Sequence, residues 1–75
     1  MEELVRYIAE SLVDHPEEVQ VKTVEGAESV IIELTVGQDD KGKVIGKQGR
    51  IAKSIRAIVK AATARNEKPV YVEII

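Results

Sequence analysis

The spacing of the apolar residues switches between a helical period and a strand period, and this switching sets the order of the elements. Over residues 2–13 the apolar positions recur three and four residues apart, which predicts a helix with one face toward a core. Helical spacing returns over 41–45 and, at greater length, over 50–66. Alternation of apolar and polar residues predicts three half-buried strands, at 18–25, 28–36 and 70–74.

The order helix, strand, strand, helix, helix, strand indicates an α+β fold. Gly26 supplies a turn between the first two strands, so we expect them to form an antiparallel hairpin. The last strand follows a helical connection, which allows it to lie parallel to a neighbour. We therefore predict a single domain over residues 1–75 with the order α-β-β-α-α-β, in which helices pack on one face of a mixed three-stranded sheet.

Local signals predict where the two later helices begin and end. Asp39 or Asp40 is placed to cap the short helix. Asn66 is expected to end the long helix, because Lys68-Pro69 prevents its continuation. The inner face of the long helix is predicted to consist of Ile51, Ile55, Ile58, Val59 and Ala62.

The composition limits the class of protein. A chain of 75 residues has room for one compact core, and a domain of that size buries only about 60% of its unfolded surface. The sequence contains no cysteine, which excludes disulfides and thiolate metal sites. No apolar run approaches the roughly 20 residues of a membrane helix, and Met1-Glu2-Glu3 lacks the basic start of a signal peptide. We therefore expect a cytoplasmic protein without a membrane partner.

The net charge of −2 conceals a strong separation of charge along the chain. Residues 41–68 contain nine Lys or Arg residues and one acidic residue, for a net charge of +8. The rest of the chain contains two basic and twelve acidic residues, for −10. This separation of charge produces an electric field that favours binding of an anionic ligand at the basic segment. The alternative interpretation is that the basic segment is a solvated helix face.

The basic segment contains a run with two glycines, Val44-Ile45-Gly46-Lys47-Gln48-Gly49-Arg50, between the two later helical patterns. Two glycines around two polar residues allow the backbone to turn sharply. The turn would expose amide N–H groups at the start of the next helix, where a phosphate binds well. Lys47 and Arg50 would add full positive charges beside it.

This run resembles the signature loop of KH domains, and the element order resembles the bacterial, type II form of that fold. The resemblance covers essentially the whole chain and is closest to the small stand-alone KH proteins of bacteria. It implies that single-stranded RNA is the ligand, with the loop clamping about four nucleotides while the bases lie in an aliphatic groove. The family often has a branched aliphatic residue three positions after the second loop glycine, where this chain has Ala52. The residues predicted to bind RNA are Lys43, Val44, Ile45, Gly46, Lys47, Gln48, Gly49, Arg50 and Lys53.

A stripe of small residues runs along the long helix and is bordered by Ile58; it consists of Ser54, Ala57, Ala61 and Ala64. The predicted contact surface, which we call the small-residue face, consists of Ser54, Ala57, Ile58 and Ala61. The alternative interpretation is that these residues are good helix formers at exposed positions. The family resemblance implies a dimer through this face, as a homodimer or as a heterodimer with a larger KH-containing protein of the Jag type (KhpB).

Other chemistries fit the sequence poorly. Residues 42–47 are one residue too short for a nucleotide-binding P-loop, and Gln48 stands where the Ser or Thr that binds magnesium would be. His15 has no second histidine and no cysteine to form a metal site. We therefore expect no metal, no cofactor and no enzymatic activity.

The leading prediction is a single-stranded RNA-binding protein that acts as an RNA chaperone or post-transcriptional regulator. The resemblance also implies a link to cell-wall homeostasis and cell-length control. The alternative is a protein-interaction module that keeps the KH fold but has little RNA affinity. Lys47 and Arg50 favour the RNA binder, because a degenerate module would often carry acidic residues there.

Overall fold

The structure, a computed structural model, describes residues 1–46 and 49–75. Lys47 and Gln48, two of the predicted RNA-binding residues, lie outside the described residues. In chain order the elements are α1 (Glu2–Leu12), a 3-10 helix (Pro16–Glu18), β1 (Gln20–Glu25), β2 (Val30–Thr35), α2 (Gln38–Ala62) and β3 (Val70–Ile74).

The three strands form one mixed sheet in the order β1-β2-β3. β1 and β2 are antiparallel, with Gln20 opposite Thr35, and the predicted hairpin is confirmed. β2 and β3 are parallel, with Val30 opposite Val70, as expected for strands joined through a helical connection. The α+β fold and its mixed sheet are therefore confirmed.

Gly49 interrupts α2. Its φ is +69°, whereas a right-handed helix has negative φ at every residue. This break falls at the second glycine of the predicted loop and separates the helical residues before the loop from those after it. The predicted order α-β-β-α-α-β, with two helices between β2 and β3, is confirmed.

The core lies between the inner face of the sheet and the helices. Ile32 and Leu34 on the central strand are almost fully buried, and Val72 on β3 lies beside them in the core. Alternation in a strand puts every second side chain on one face, so these apolar residues share the side that the helices cover. The helices contribute Val5, Ala9, Val44, Ile55 and Val59.

The predicted end of the long helix is wrong. α2 ends at Ala62 rather than Asn66, because Thr63 has left the helical region with φ −112° and ψ 15°. The hydroxyl of Thr63 donates to the carbonyl O of Val59 at 2.8 Å. The backbone then turns, and the N–H of Asn66 donates to the carbonyl O of Thr63 at 3.0 Å.

The predicted inner face of this helix is correct at its centre and wrong at its edge. Ile55 and Val59 are fully buried, as expected. Ile58 is 43% exposed, and Ala62 is also exposed, whereas Ala52 and Thr63 are buried. The buried face is therefore rotated toward Ala52 and Thr63, and Ile58 is left available on the surface.

The predicted cap of α2 is also wrong. α2 begins after Gly37, whose carbonyl O accepts the N–H groups of Asp40 and Lys41, and no side chain caps this end. Asp40 instead points away from its own helix end, toward the chain that follows α1. Among residues 1–46 and 49–75, no helix is long and apolar enough to cross a membrane.

Candidate nucleic-acid interface

The two loop glycines differ in what they require from the backbone. Gly49 adopts the left-handed conformation that other residues adopt only with strain. Gly46 has no such φ, and a Cβ at Gly46 would meet nothing within 4 Å. The fold itself therefore explains Gly49, while nothing inside the described chain explains why residue 46 has no side chain.

Val44 and Ile45, which are both predicted to bind RNA, lie in different environments. Val44 is 1% exposed and belongs to the core, so it has no surface to offer a base in this structure. Ile45 is 53% exposed and lies directly before the loop. Ile45 is therefore the residue of the pair that is available to contact RNA. Val44 anchors this part of the helix in the core.

A depression of about 180 Å³ lies beside the loop. We call it the loop depression, and it is lined by Gly42, Lys43, Gly46, Arg50 and Ile51. Gly42 and Gly46 contribute only backbone to its lining, and Lys43 and Arg50 each carry a positive charge. Such a surface allows a sugar-phosphate chain to approach the helix backbone closely.

Gly42 is a member of this depression that sequence reasoning missed. A Cβ at Gly42 would meet nothing within 4 Å, so packing does not require a glycine there. Glycine within a helix costs about 0.5–1 kcal/mol relative to alanine. The spacing of four residues from Gly46, which puts both on one face of a helix, was the available signal.

A row of exposed cations continues from the loop along α2. Lys53, Arg56 and Lys60 are all exposed. Arg56 and Lys60 line a larger cleft of about 590 Å³ between the end of α2 and β3. Arg56 is held at its edge, since its Nε donates to the carbonyl O of Val72 at 3.3 Å.

Tyr71 lines the same cleft and is 58% exposed. No local pattern connects this residue with the basic helix, because the two are brought together only when β3 pairs with β2. Tyr71 is therefore an exposed aromatic residue at the edge of the cleft that Arg56 and Lys60 also line.

Not every basic residue of the 41–68 segment is available to a ligand. Lys68 donates to Oε2 of Glu25 at 3.2 Å and to the carbonyl O of Gly26 at 3.0 Å, and so belongs to the hairpin end of the sheet. Lys43 lies 3.4 Å from Oδ1 of Asp14. Within the part of the chain that the structure describes, Arg50 and Lys53 have no carboxylate within 4 Å.

Asp40 anchors the start of α2 beneath this surface. It is 1% exposed, and its carboxylate accepts the backbone N–H groups of Asp14 and His15, each at 3.0 Å. The hydrogen bond from Asp14 is the main reason that the pKa of Asp40 is lowered, while burial acts in the opposite direction. Asp40 is therefore a buried structural carboxylate, which the sequence did not distinguish from Asp39.

The structure brings together three possible metal ligands, of which only His15 was considered from the sequence. Ligand atoms of His15, Glu17 and Glu18 lie within 4.8 Å of one another. Both glutamates are exposed, and acidic groups on a surface are common without a metal ion. We assign this cluster no role.

The small-residue face is open to solvent. All four of its members are exposed, with Ile58 at 43%. Its members lie outside the core cluster that contains Ile55 and Val59. An exposed branched residue among small ones allows close approach of another surface.

The fold and the loop geometry agree with a comparison against protein families. Residues 2–74 match the family described as "KhpA/KhpB, KH domain". The chain belongs to this family. Relatives named "RNA-binding protein KhpA" match it along its whole length. They come from Clostridium perfringens (strain 13 / Type A) and Clostridium acetobutylicum, with 63% and 59% identity and complete coverage of both chains, and from Listeria monocytogenes serovar 1/2a, with 49% identity over 100% of this chain and 99% of the relative.

A solved structure shares the fold of this KH domain. A variant of Aquifex aeolicus Era bound to GDP and AlF4− superposes with a TM-score of 0.66 at 28% identity. The match covers 97% of this KH domain and 28% of the Era chain. This KH domain thus corresponds to about a quarter of that longer protein.

Proposed function

We propose that the chain binds single-stranded RNA along α2, with the Gly46–Gly49 loop as a clamp on the sugar-phosphate backbone. The observation that carries the proposal is the break at Gly49, with φ +69°, beside a depression lined by Lys43 and Arg50. A helical segment that starts after a break directs its first N–H groups toward it. Those donors and the positive end of the helix dipole suit a phosphate.

The bases would contact aliphatic side chains next to the clamp. Ile45 is exposed before the loop, and Ile51 is half-buried in the wall of the loop depression. Ala52 is buried, at the position where the family often has a branched aliphatic residue. The surface can therefore accept a base without demanding a particular one.

A longer strand would continue along the exposed cations toward the cleft between α2 and β3. Lys53 lies between the loop and that cleft in sequence, and Arg56 and Lys60 line the cleft itself. Tyr71 would offer a stacking surface worth about 1–3 kcal/mol per base. The proposed path therefore combines phosphate contacts at the loop with a stacking contact at its far end.

Two copies of such a surface would bind more tightly than one. We propose that the small-residue face, centred on Ile58, forms a homodimer or a heterodimer with a KhpB (Jag-type) protein. Linking two RNA-binding units raises affinity through effective concentration without any new contact. RNA chaperoning or post-transcriptional regulation in the cytoplasm, with an effect on cell-wall homeostasis and cell length, is the physiological role that we propose for the assembly.

The test of RNA binding is a charge reversal in the clamp. We expect Lys47→Asp with Gln48→Asp to lower affinity for a fluorescein-labelled single-stranded RNA by at least about tenfold, because a phosphate contact becomes a repulsion. The matched control is Gln20→Asp with Lys22→Asp, the same two substitutions at exposed positions of β1. Fluorescence anisotropy measures both.

The control should bind within about twofold of the unmodified protein, since β1 lies outside the proposed path. Retained binding in the loop variant would contradict the clamp. Equal losses in both variants would mean that net charge alone determines affinity. Unmodified protein that binds no RNA would favour the alternative function, a protein-interaction module.

A further inference from the structure

Lys43 is the point at which the proposed RNA surface meets the acidic half of the chain. Lys43 is one of the residues that line the loop depression, and its Nζ lies 3.4 Å from Oδ1 of Asp14. Both side chains are open to solvent, at 46% for Lys43 and 74% for Asp14. A phosphate in the depression and the Asp14 carboxylate would therefore compete for one ammonium group.

The backbone of Asp14, rather than its side chain, fixes it in this position. Its N–H donates to Oδ1 of Asp40 at 3.0 Å, and Asp40 is almost completely buried. Asp40 precedes Lys43 by three residues in α2, a spacing that puts both on one side of the helix. The location of Asp14 next to Lys43 is thus built into the packing of the chain after α1 against α2.

The ion pair itself does little for the fold. An exposed pair between flexible side chains contributes little to stability, because solvent and salt screen it. The backbone hydrogen bonds to the buried carboxylate of Asp40, by contrast, remain whether or not Asp14 carries a charge. The position therefore tolerates an uncharged side chain, and the carboxylate is not needed to hold the turn.

The neighbouring cations Arg50 and Lys53 differ from Lys43 in this respect. Of residues 1–46 and 49–75, none places a carboxylate within 4 Å of Arg50 or Lys53. An RNA strand would gain the full charge of these two residues on contact. It would gain the charge of Lys43 only by displacing Asp14.

We propose that Asp14 limits the RNA affinity of this surface by occupying Lys43 in the unbound protein. The proposal rests on the RNA-binding function proposed above and assigns a role to a residue outside α2. The Asp14 carboxylate can take the place of a phosphate on Lys43, so Asp14 also accelerates release of the strand. Fast release suits a protein that must bind many strands in turn.

The test is a double-mutant cycle of the full chain with a fluorescein-labelled 12-nucleotide oligouridine. Asp14→Asn keeps the shape and the backbone donor and removes the charge. We expect it to bind about threefold to tenfold more tightly at about 50 mM salt, where a surface charge pair is weakly screened. Combined with Lys43→Gln, the same change should alter Kd by less than about twofold relative to Lys43→Gln alone.

The salt dependence of RNA affinity provides a second measurement of the competition between Asp14 and RNA for Lys43. If Lys43 is freed to neutralise one more phosphate, the slope of log affinity against log salt for Asp14→Asn should steepen by about 0.7. An unchanged slope together with an unchanged Kd would overturn the proposal.

Asp39→Asn is the matched control for charge. It removes the same charge from a side chain that is 85% exposed and whose near partner is His15, with 3.8 Å between Nε2 and Oδ2. Equal gains for Asp14→Asn and Asp39→Asn would assign the effect to net charge and overturn the proposal. A gain that survives in the Lys43→Gln background would do the same.

Failure of this proposal is distinguishable from failure of RNA binding itself. If the unmodified protein binds oligouridine no better than the variant with Lys47→Asp and Gln48→Asp, both proposals are wrong. If the unmodified protein binds and Asp14→Asn changes nothing, only the role of Asp14 is wrong. Thermal melting of Asp14→Asn should match that of the unmodified protein, which separates affinity from folding.

Discussion

The buried carboxylate of Asp40 accepts the backbone N–H of His15 at 3.0 Å and so joins the start of α2 to the turn that follows α1. The two residues are 25 positions apart in the chain. A second bond, from the N–H of Asp14, reaches the other oxygen of the same carboxylate. One side chain therefore satisfies two backbone donors beyond the end of α1 and positions the helix that leads to the loop.

Removing this carboxylate should destabilise the protein. We expect Asp40→Ala to lower the melting temperature clearly, because two part-buried N–H groups lose their acceptor. Asp39→Ala is the matched control, since the neighbouring side chain is 85% exposed. Melting followed by circular dichroism should give a much larger decrease for Asp40→Ala, and equal decreases would contradict the anchoring role.

Because of the same carboxylate, we expect the stability of the protein to depend on pH in the acidic range. Its pKa is lowered in the folded state, chiefly by the hydrogen bond from Asp14, so the unfolded state binds a proton first as the pH falls. The contribution of Asp40 is therefore complete above the ordinary Asp pKa of about 3.9 and is lost as the pH falls from there through the folded pKa. Melting temperatures measured between neutral pH and about pH 3 should converge for the unmodified protein and Asp40→Asn. A gap between them that stays constant in acid would exclude this linkage.

Gly49 should be far less tolerant of a side chain than Gly42. We expect Gly49→Ala to cost about 1–2 kcal/mol, because φ +69° is unfavourable for any residue with a Cβ. Gly42→Ala should instead stabilise the chain by about 0.5–1 kcal/mol, since a Cβ there meets nothing within 4 Å. Urea denaturation measures both, and a stabilised Gly49→Ala would mean that the break in α2 is not required.

Strand positions and the loop were predictable because each depends on a short stretch of sequence. β2 has one face against the core, so Ile32 and Leu34 are buried and the alternation is visible without neighbours. The paired glycines indicated a break, and Gly49 occupies it. These features are local, and the three predicted strands and the break between the two helices are confirmed.

Features that depend on tertiary contacts were not predictable in the same way. Asp39 and Asp40 are equivalent as candidate caps, and only the return of the chain after α1 distinguishes the buried one from the exposed one. Val44 and Ile45 are adjacent apolar residues in a helix, and the sheet determines which of them is covered. Tyr71 reaches the basic cleft through strand pairing, which no local pattern encodes.

The salt dependence of RNA binding should reveal how many phosphates the proposed surface neutralises. Each contact to a single strand contributes a slope of about −0.7, so two to three contacts predict about −1.5 to −2 for log affinity against log salt. The variant with Lys47→Asp and Gln48→Asp should show a shallower slope, whereas the β1 control should keep the full one. A slope near zero would indicate that the cations along α2 do not contact the backbone.

Ile58 should control self-association if the small-residue face is an interface. A charge at its centre would have to be buried without a partner on dimerisation, so we expect Ile58→Asp to be monomeric at concentrations where the unmodified protein is a dimer. Its fold should be little affected, because 43% of the residue is already exposed. Val24→Asp on β1 is the matched control, with an aliphatic residue of 41% exposure on another surface. Sedimentation equilibrium gives the mass of each protein. A dimeric Ile58→Asp would show that the contact lies elsewhere, and a monomeric Val24→Asp would point to β1 instead.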